Sequence, residues 1–219
     1  MLTRIRRFIF ARDEELEDLS WLISVIDSYR VGMGVEMEGL REKIRNLKGP
    51  LKVENWSQIY KDMKAIADLP LQKEPRIRFY MTIFVFMRFL VKQAFLIVGI
   101  ILFIFLLTSR MPFISSGQLV YLLYAILGIA WLVVTVRGIA RYKLKMFFYQ
   151  HKKDYKKNEE RLQKAAQTLI DKMGRALKER EEDPKKYSFS VYQKDYKGIK
   201  VTKDVSWLRD FYTVTVKKR

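Results

Sequence analysis

Gln93-Ala94-Phe95-Leu96-Ile97-Val98-Gly99-Ile100-Ile101-Leu102-Phe103-Ile104-Phe105-Leu106-Leu107-Thr108-Ser109 is followed, after a break at Arg110-Met111-Pro112, by Gln118-Leu119-Val120-Tyr121-Leu122-Leu123-Tyr124-Ala125-Ile126-Leu127-Gly128-Ile129-Ala130-Trp131-Leu132-Val133-Val134-Thr135-Val136. These runs of 17 and 19 residues contain no acidic residue. At about 1.5 Å per residue each reaches across roughly 30 Å of hydrocarbon, the first only just. Backbone amides inside lipid must find partners within their own segment, so both runs are expected to be helices. The fold class this predicts is a mainly α membrane protein with three parts. They are a two-helix transmembrane hairpin, an inner-face helical bundle of coiled-coil type, and a small C-terminal antiparallel β element.

Working outward, the hairpin is placed at 76–141, with spans at about 90–109 and 117–137. Before the first span stand Arg76, Arg78, Arg88 and Lys92; after the second come Arg137, Arg141, Lys143, Lys145, Lys152, Lys153, Lys156 and Lys157. The connection carries only Arg110. Positive residues flanking spans stay on the cytoplasmic or organellar inner side, so both termini are expected there. Tyr121 and Tyr124 then fall near the outer interface, where amphipathic rings are favoured. Trp131 is the exception, deep in the second span; its indole donor needs a partner, which points to a protein contact against the alternative of a lipid-facing ring.

The net charge of +18 is uneven. Residues 137–186 hold 16 Lys and Arg against 8 acidic residues, and residues 187–219 hold 8 against 3, so most of the excess follows the second span. Basic residues beside a membrane are attracted to anionic headgroups by about 1 kcal/mol each. A nucleic-acid or ribosomal partner is the competing reading. The residues assigned to lipid or partner contact are Arg4, Arg6, Arg7, Arg12, Arg137, Arg141, Lys143, Lys145, Lys152, Lys153, Lys156 and Lys157. The first four belong to residues 1–12, where Leu2, Ile5, Phe8 and Ile9 recur at helical spacing among arginines, the pattern of a helix lying in the interface plane or packed on the protein's own bundle.

Residues 13–75 form a helical region governed by a heptad. Leu16, Leu19, Ile23, Ile26, Met33, Met37, Leu40, Ile44 and Leu47 recur at alternating steps of three and four, and only Arg30 interrupts them. Such a seam needs a partner helix. The acidic run Asp13-Glu14-Glu15 with Glu17 and Asp18 suits the positive end of the helix dipole better than it suits a metal. Gly32, Gly34 and Gly39 each cost about 1 kcal/mol inside a helix, so the segment is either one kinked rod or two helices. A short helix follows over Trp56–Asp68, with Leu69-Pro70 as its expected end.

Beyond the hairpin, 142–183 is read as a basic helix, continuous with the second span from Arg137 to Glu182. Its stripe Leu162, Ala166, Leu169, Met173 and Leu177 is a natural partner for the heptad, with homodimerisation through the seam as the competitor. In the tail, 184–219, Tyr187–Tyr192, Ile199–Thr202 and Phe211–Val216 alternate with period two, which predicts two or three antiparallel strands.

Chemistry is hard to find. Cysteine is absent and His151 is the one histidine, so neither a thiolate site nor a histidine cluster can form. No phosphate-binding glycine loop or nucleophile elbow occurs. No ionisable residue lies well inside a span, where transport sites are usually marked. The expectation is a non-catalytic protein without cofactor or metal, a structural or adaptor subunit of a larger membrane assembly. Its partners would be anionic lipids and other subunits, or a second copy. The alternatives are a membrane-protein biogenesis or secretion component meeting a ribosome or cytosolic motor, and an oligomeric channel.

Overall fold

A computed structural model describes residues 13–34, 39–108, 116–206 and 209–219. The protein is mostly helical, 72%, with one small three-stranded antiparallel sheet. The basic segment 1–12 with Arg4, Arg6, Arg7 and Arg12 lies outside the described residues, as does Met37.

Helix α1 (Glu14–Arg30) begins where Asp13 caps it, its carboxylate accepting from Glu15 N at 3.1 Å and Leu16 N at 3.2 Å. The acidic run therefore serves the helix end, as the dipole requires. The single-rod version of the heptad is not what forms. Gly32 sits at φ +72°, with Met33 N bonded to Ser28 O at 2.8 Å and Gly32 N to Tyr29 O at 3.0 Å. This pair of bonds is a Schellman stop, and a residue lacking Cβ takes the left-handed position without strain. A separate α2 (Leu40–Asn46) resumes the series, followed by a 3-10 turn at Gly49–Leu51.

Helix α3 (Trp56–Lys73) continues through Pro70 instead of ending at Leu69. Leu69 and Pro70 are both buried, and this burial outweighs the missing amide hydrogen bond of the ring. Two long helices follow, α4 (Pro75–Thr108) and α5 (Ser116–Gln150), which pack on each other. The one helix expected from Arg137 to Glu182 is interrupted. His151, at φ −97° and ψ 17°, separates α5 from α6 (Lys152–Glu179). Neither Gly nor Pro stands nearby, so the sequence carried no stop signal there. Among the described residues one helical stretch, Tyr124–Gln150, is long and apolar enough to cross a membrane.

After a 3-10 turn at Pro184–Tyr187 come β1 (Phe189–Val191), β2 (Ile199–Lys203) and β3 (Tyr212–Val216), ordered β1-β3-β2. β3 is central, pairing Phe189 with Val214 on one side and Ile199 with Val216 on the other. β1 and β2 do not pair, so the seven residues between them leave the sheet.

The chain divides into two compact units, one made from the chain up to Leu69 together with His151–Arg219, the other from Pro70–Gln150. The first holds most of the buried apolar side chains. Leu16, Leu19, Ile23 and Ile26 are fully buried on α1, which packs against α6 and β1; Leu162, Ala166 and Met173 are fully buried on α6. Met33, Leu40 and Leu47 are buried too, whereas Ile44 is half-exposed. α1 and α6 run antiparallel: Arg180 near the end of α6 pairs with Asp13 and with Glu15 at 2.7 Å, while Arg30 at the end of α1 lies 3.7 Å from Glu159 early in α6. In the second unit, the guanidinium of Arg137 sits 5.6 Å from the ring centroid of Phe84, a cation–π contact tying α5 to α4.

Candidate functional site

Arg30, the one residue that interrupts the apolar series of α1, is the hub of a buried polar cluster. Its side chain is 5% exposed. Both guanidinium Nη atoms donate to Asp195, Nη1 to Oδ1 at 2.7 Å and Nη2 to Oδ2, a bidentate fork that lysine could not reproduce. Glu159 Oε1 lies 3.7 Å from Nη2 and Asp27 Oδ1 4.0 Å from Nη1. The guanidinium also lies 5.4 Å from the ring centroid of Tyr196. Asp195 and Tyr196 come from the excursion between β1 and β2, Asp27 and Arg30 from the last turn of α1, and Glu159 from α6. Three elements distant in sequence thus meet on one cation.

Asp27 is fully buried. Tyr196 OH donates to Oδ1 at 2.7 Å and Tyr192 N donates to Oδ2. Burial pushes its carboxyl up to about 6; the hydrogen bonds from Tyr196 and Tyr192 and the charge of Arg30 act in the other direction without cancelling it. Asp195 shifts the opposite way, held below its ordinary value by the hydrogen bonds from Arg30. Burial raises the Tyr196 hydroxyl, and the Asp27 carboxylate raises it further. For Arg30, burial opposes the charge, but the bond to Asp195 more than compensates and the guanidinium is held more firmly protonated than usual.

A second group of contacts fixes the rest of the tail on α6. Gln163 Nε2 donates to Asp195 Oδ2 at 2.9 Å, and Gln167 brackets the turn by donating to Lys197 O at 3.1 Å and accepting from Lys197 N at 2.8 Å. Near the C-terminus, Arg219 N donates to Gly174 O at 3.2 Å. A Cβ at Gly174 would lie 3.0 Å from Lys217 O, so glycine is what lets the strand cross the helix so closely.

The arrangement fastens α1, α6 and the excursion between β1 and β2 to one another. Asp27 has a perturbed acidity of the kind found in active sites, but it lines neither of two hollows in the same unit. One hollow, of about 330 Å³, lies between Gly49–Lys52 and α6, and another, of about 290 Å³, is lined by Arg41, Ile44, Trp56, Ser57 and Tyr60. In the first, Lys172 Nζ already donates to Lys52 O at 2.6 Å. No group of three or more metal-ligating side chains occurs among the described residues.

The other residues singled out from the sequence are dispersed. Lys152, Lys153, Lys156 and Lys157 are exposed on the first turns of α6, with Lys152 3.9 Å from Glu159 and Lys156 3.9 Å from Glu160. Lys143 and Lys145 are exposed on α5, and Arg137 and Arg141 are half-buried. Trp131 is 72% exposed, its ring on the outside of the helix pair. Sequence reasoning passed over Asp27, Glu159, Asp195 and Tyr196. The available signal was Arg30 itself, since a cation at a seam position calls for buried acceptors. No family model, curated protein or solved structure matches the chain.

The opposed shifts of Asp27 and Asp195 make stability pH-dependent. Asp27 titrates at about 6 folded and 3.8 unfolded, so its contribution is fully present below 3.8 and is lost as pH rises through 6. Asp195 contributes above 3.8 and loses that contribution as pH falls through its depressed folded value. Denaturation followed by tryptophan fluorescence is therefore expected to give a higher midpoint at pH 5 than at pH 7.5. Asp27→Asn is expected to flatten that interval; an unchanged slope would remove Asp27 as its source.

Proposed function

We propose that this is a non-catalytic two-pass integral membrane protein, anchored by the α4–α5 hairpin, with both termini on the inner side. It acts as a structural or adaptor subunit of a larger membrane assembly. The observation that carries the reading is that both flanks of the hairpin contribute to one compact unit. Segments can pack together only if they share a compartment, so the chain between them crosses a bilayer an even number of times. One crossing lies within Tyr124–Gln150 of α5, whose most apolar part is only 12% buried, unlike the core helix of a soluble protein. The partner crossing is then α4, whose exposed Leu96, Ile97, Ile100 and Phe103 suit lipid. The adaptor role rests on a cluster that fastens elements together and on the net excess of basic residues after the second span.

The test is gentle detergent extraction from native membranes, followed by size determination and mass spectrometry of companions. A discrete complex of fixed stoichiometry is expected. Salt-labile ribosomes among the companions would favour a biogenesis role, and a small species without companions would overturn the adaptor reading in favour of an autonomous oligomer.

A further inference from the structure

Resting on the two-pass reading, we propose that the basal turns of α5 form a binding surface for anionic phospholipid headgroups. The surface is the stripe Ile139, Tyr142, Met146 and Tyr149, set between Lys143 and Lys145. The observation behind it is a mismatch of length. Helices of 34 and 35 residues are about 51 Å long, against roughly 30 Å of hydrocarbon. The last three to four turns of α5 must therefore leave the hydrocarbon, yet their outward face stays apolar.

Ala140, Leu144 and Phe147 are buried. Ile139, Tyr142, Met146 and Tyr149 follow at steps of three, four and three on the opposite side of the same turns, with Tyr142 63% and Tyr149 76% exposed. At about 100° per residue Lys143 and Lys145 fall on either side of that stripe. α4 repeats the pattern with exposed Phe79, Phe86 and Phe89. A stalk standing in water would carry charges of both signs. From Pro75 to Gln150 the chain has nine basic residues and no acidic one.

Charge decides what covers the stripe. A second copy would bring an equally positive surface against this one, a like-charge contact that costs energy unless screened. Phospholipid headgroups supply negative charge, and the boundary beneath them accepts aromatic and aliphatic side chains. The stripe is also continuous with the outward side of the span through Leu132 and Trp131, both exposed. The helix excess is thus accommodated within the headgroup layer, which extends a bilayer to about 40–45 Å. Tilt of the hairpin supplies the remainder.

Because the chain has no cysteine, one introduced thiol is a unique label site. Spin labels at Tyr142→Cys and Tyr149→Cys are compared with Ile129→Cys within the span and Lys156→Cys on the exposed face of α6. The full-length protein is placed in nanodiscs of phosphatidylcholine with or without phosphatidylserine, and accessibility to a water-soluble nickel chelate is read. With phosphatidylserine, sites 142 and 149 are expected to be several-fold less accessible than site 156. That protection should fall without the anionic lipid or with Lys143→Gln and Lys145→Gln. If site 129 is shielded while 142 and 149 match 156, the headgroup surface is refuted and the hairpin stands. Exposure of site 129 to nickel refutes the membrane reading itself. Equal protection in both lipids removes the anionic preference, and protection that persists in detergent assigns the stripe to a protein contact instead.

Discussion

Replacing Arg30 with alanine is expected to destabilise the unit built from α1, α6 and the sheet by about 3 kcal/mol, the lower end of the range for breaking a buried ion pair. Three carboxylates face that guanidinium. Asp27 and Glu159 are almost wholly removed from water, whereas the Asp195 side chain is 39% exposed and can recover part of its hydration. Asp27 reduces the loss further. Burial has already raised it to about 6, and losing the cation 4.0 Å away pushes it further up, which favours uptake of a proton over a bare buried charge. The penalty should accordingly be greater at pH 8 than at pH 5. Arg30→Lys keeps the charge but cannot make the two-pronged bond to Asp195, so it should restore only part of the stability. A double-mutant cycle with Asp195→Ala should give a coupling of at least about 1 kcal/mol. Additive effects would mean that the two residues act separately, and the hub would have to be abandoned.

Leu19→Asp should be more damaging still, with a loss above about 4 kcal/mol or failure to accumulate. Leu19 is fully buried on α1, and the substitution combines lost apolar contact with the cost of taking a carboxylate out of water. Leu40→Asp, at 1% exposure, should behave similarly, whereas Val205→Asp, at 44%, should change stability by no more than about half a kcal/mol. Size measurement separates two explanations of the seam. If the α1 stripe served to join two copies, Leu19→Asp would leave a folded monomer with a normal denaturation midpoint. Because α1 packs on α6 of the same chain, unfolding is the expected result.

Periodicity made the helices legible and said little about where they stop. The step pattern from Leu16 to Ile26 identified the buried face of α1, because a helix in a globular unit must hide one stripe. The stop at Gly32 was visible as a costly glycine, but whether it kinks or ends a helix depends on the bonds that Met33 and Gly32 send back to Ser28 and Tyr29. Pro70 misled in the opposite direction, since local propensity yielded to burial of Leu69 and Pro70. The break at His151 has no local signature. Alternation in the tail revealed the strands but not their order, because Phe189–Val191 and Ile199–Lys203 look like hairpin neighbours and instead flank β3. The hub was the least legible feature. Arg30 stood out as an interruption, but its partner Asp195 is 165 residues further along, and nothing local indicates that they meet.

That separation has a consequence for synthesis. The apolar stripe of α1 is complete once residue 30 has been made, but α6 and β1, which cover it, are not finished until residue 191. At about 5–20 residues per second the ribosome needs roughly 8–32 s to supply them. Throughout that interval the nascent chain presents Leu16, Leu19, Ile23 and Ile26 uncovered while its most apolar stretch is still being delivered. The early segment must therefore be kept from aggregating, and from degradation, by something other than its own fold. A ribosome stalled anywhere before α6 would leave a product that cannot close.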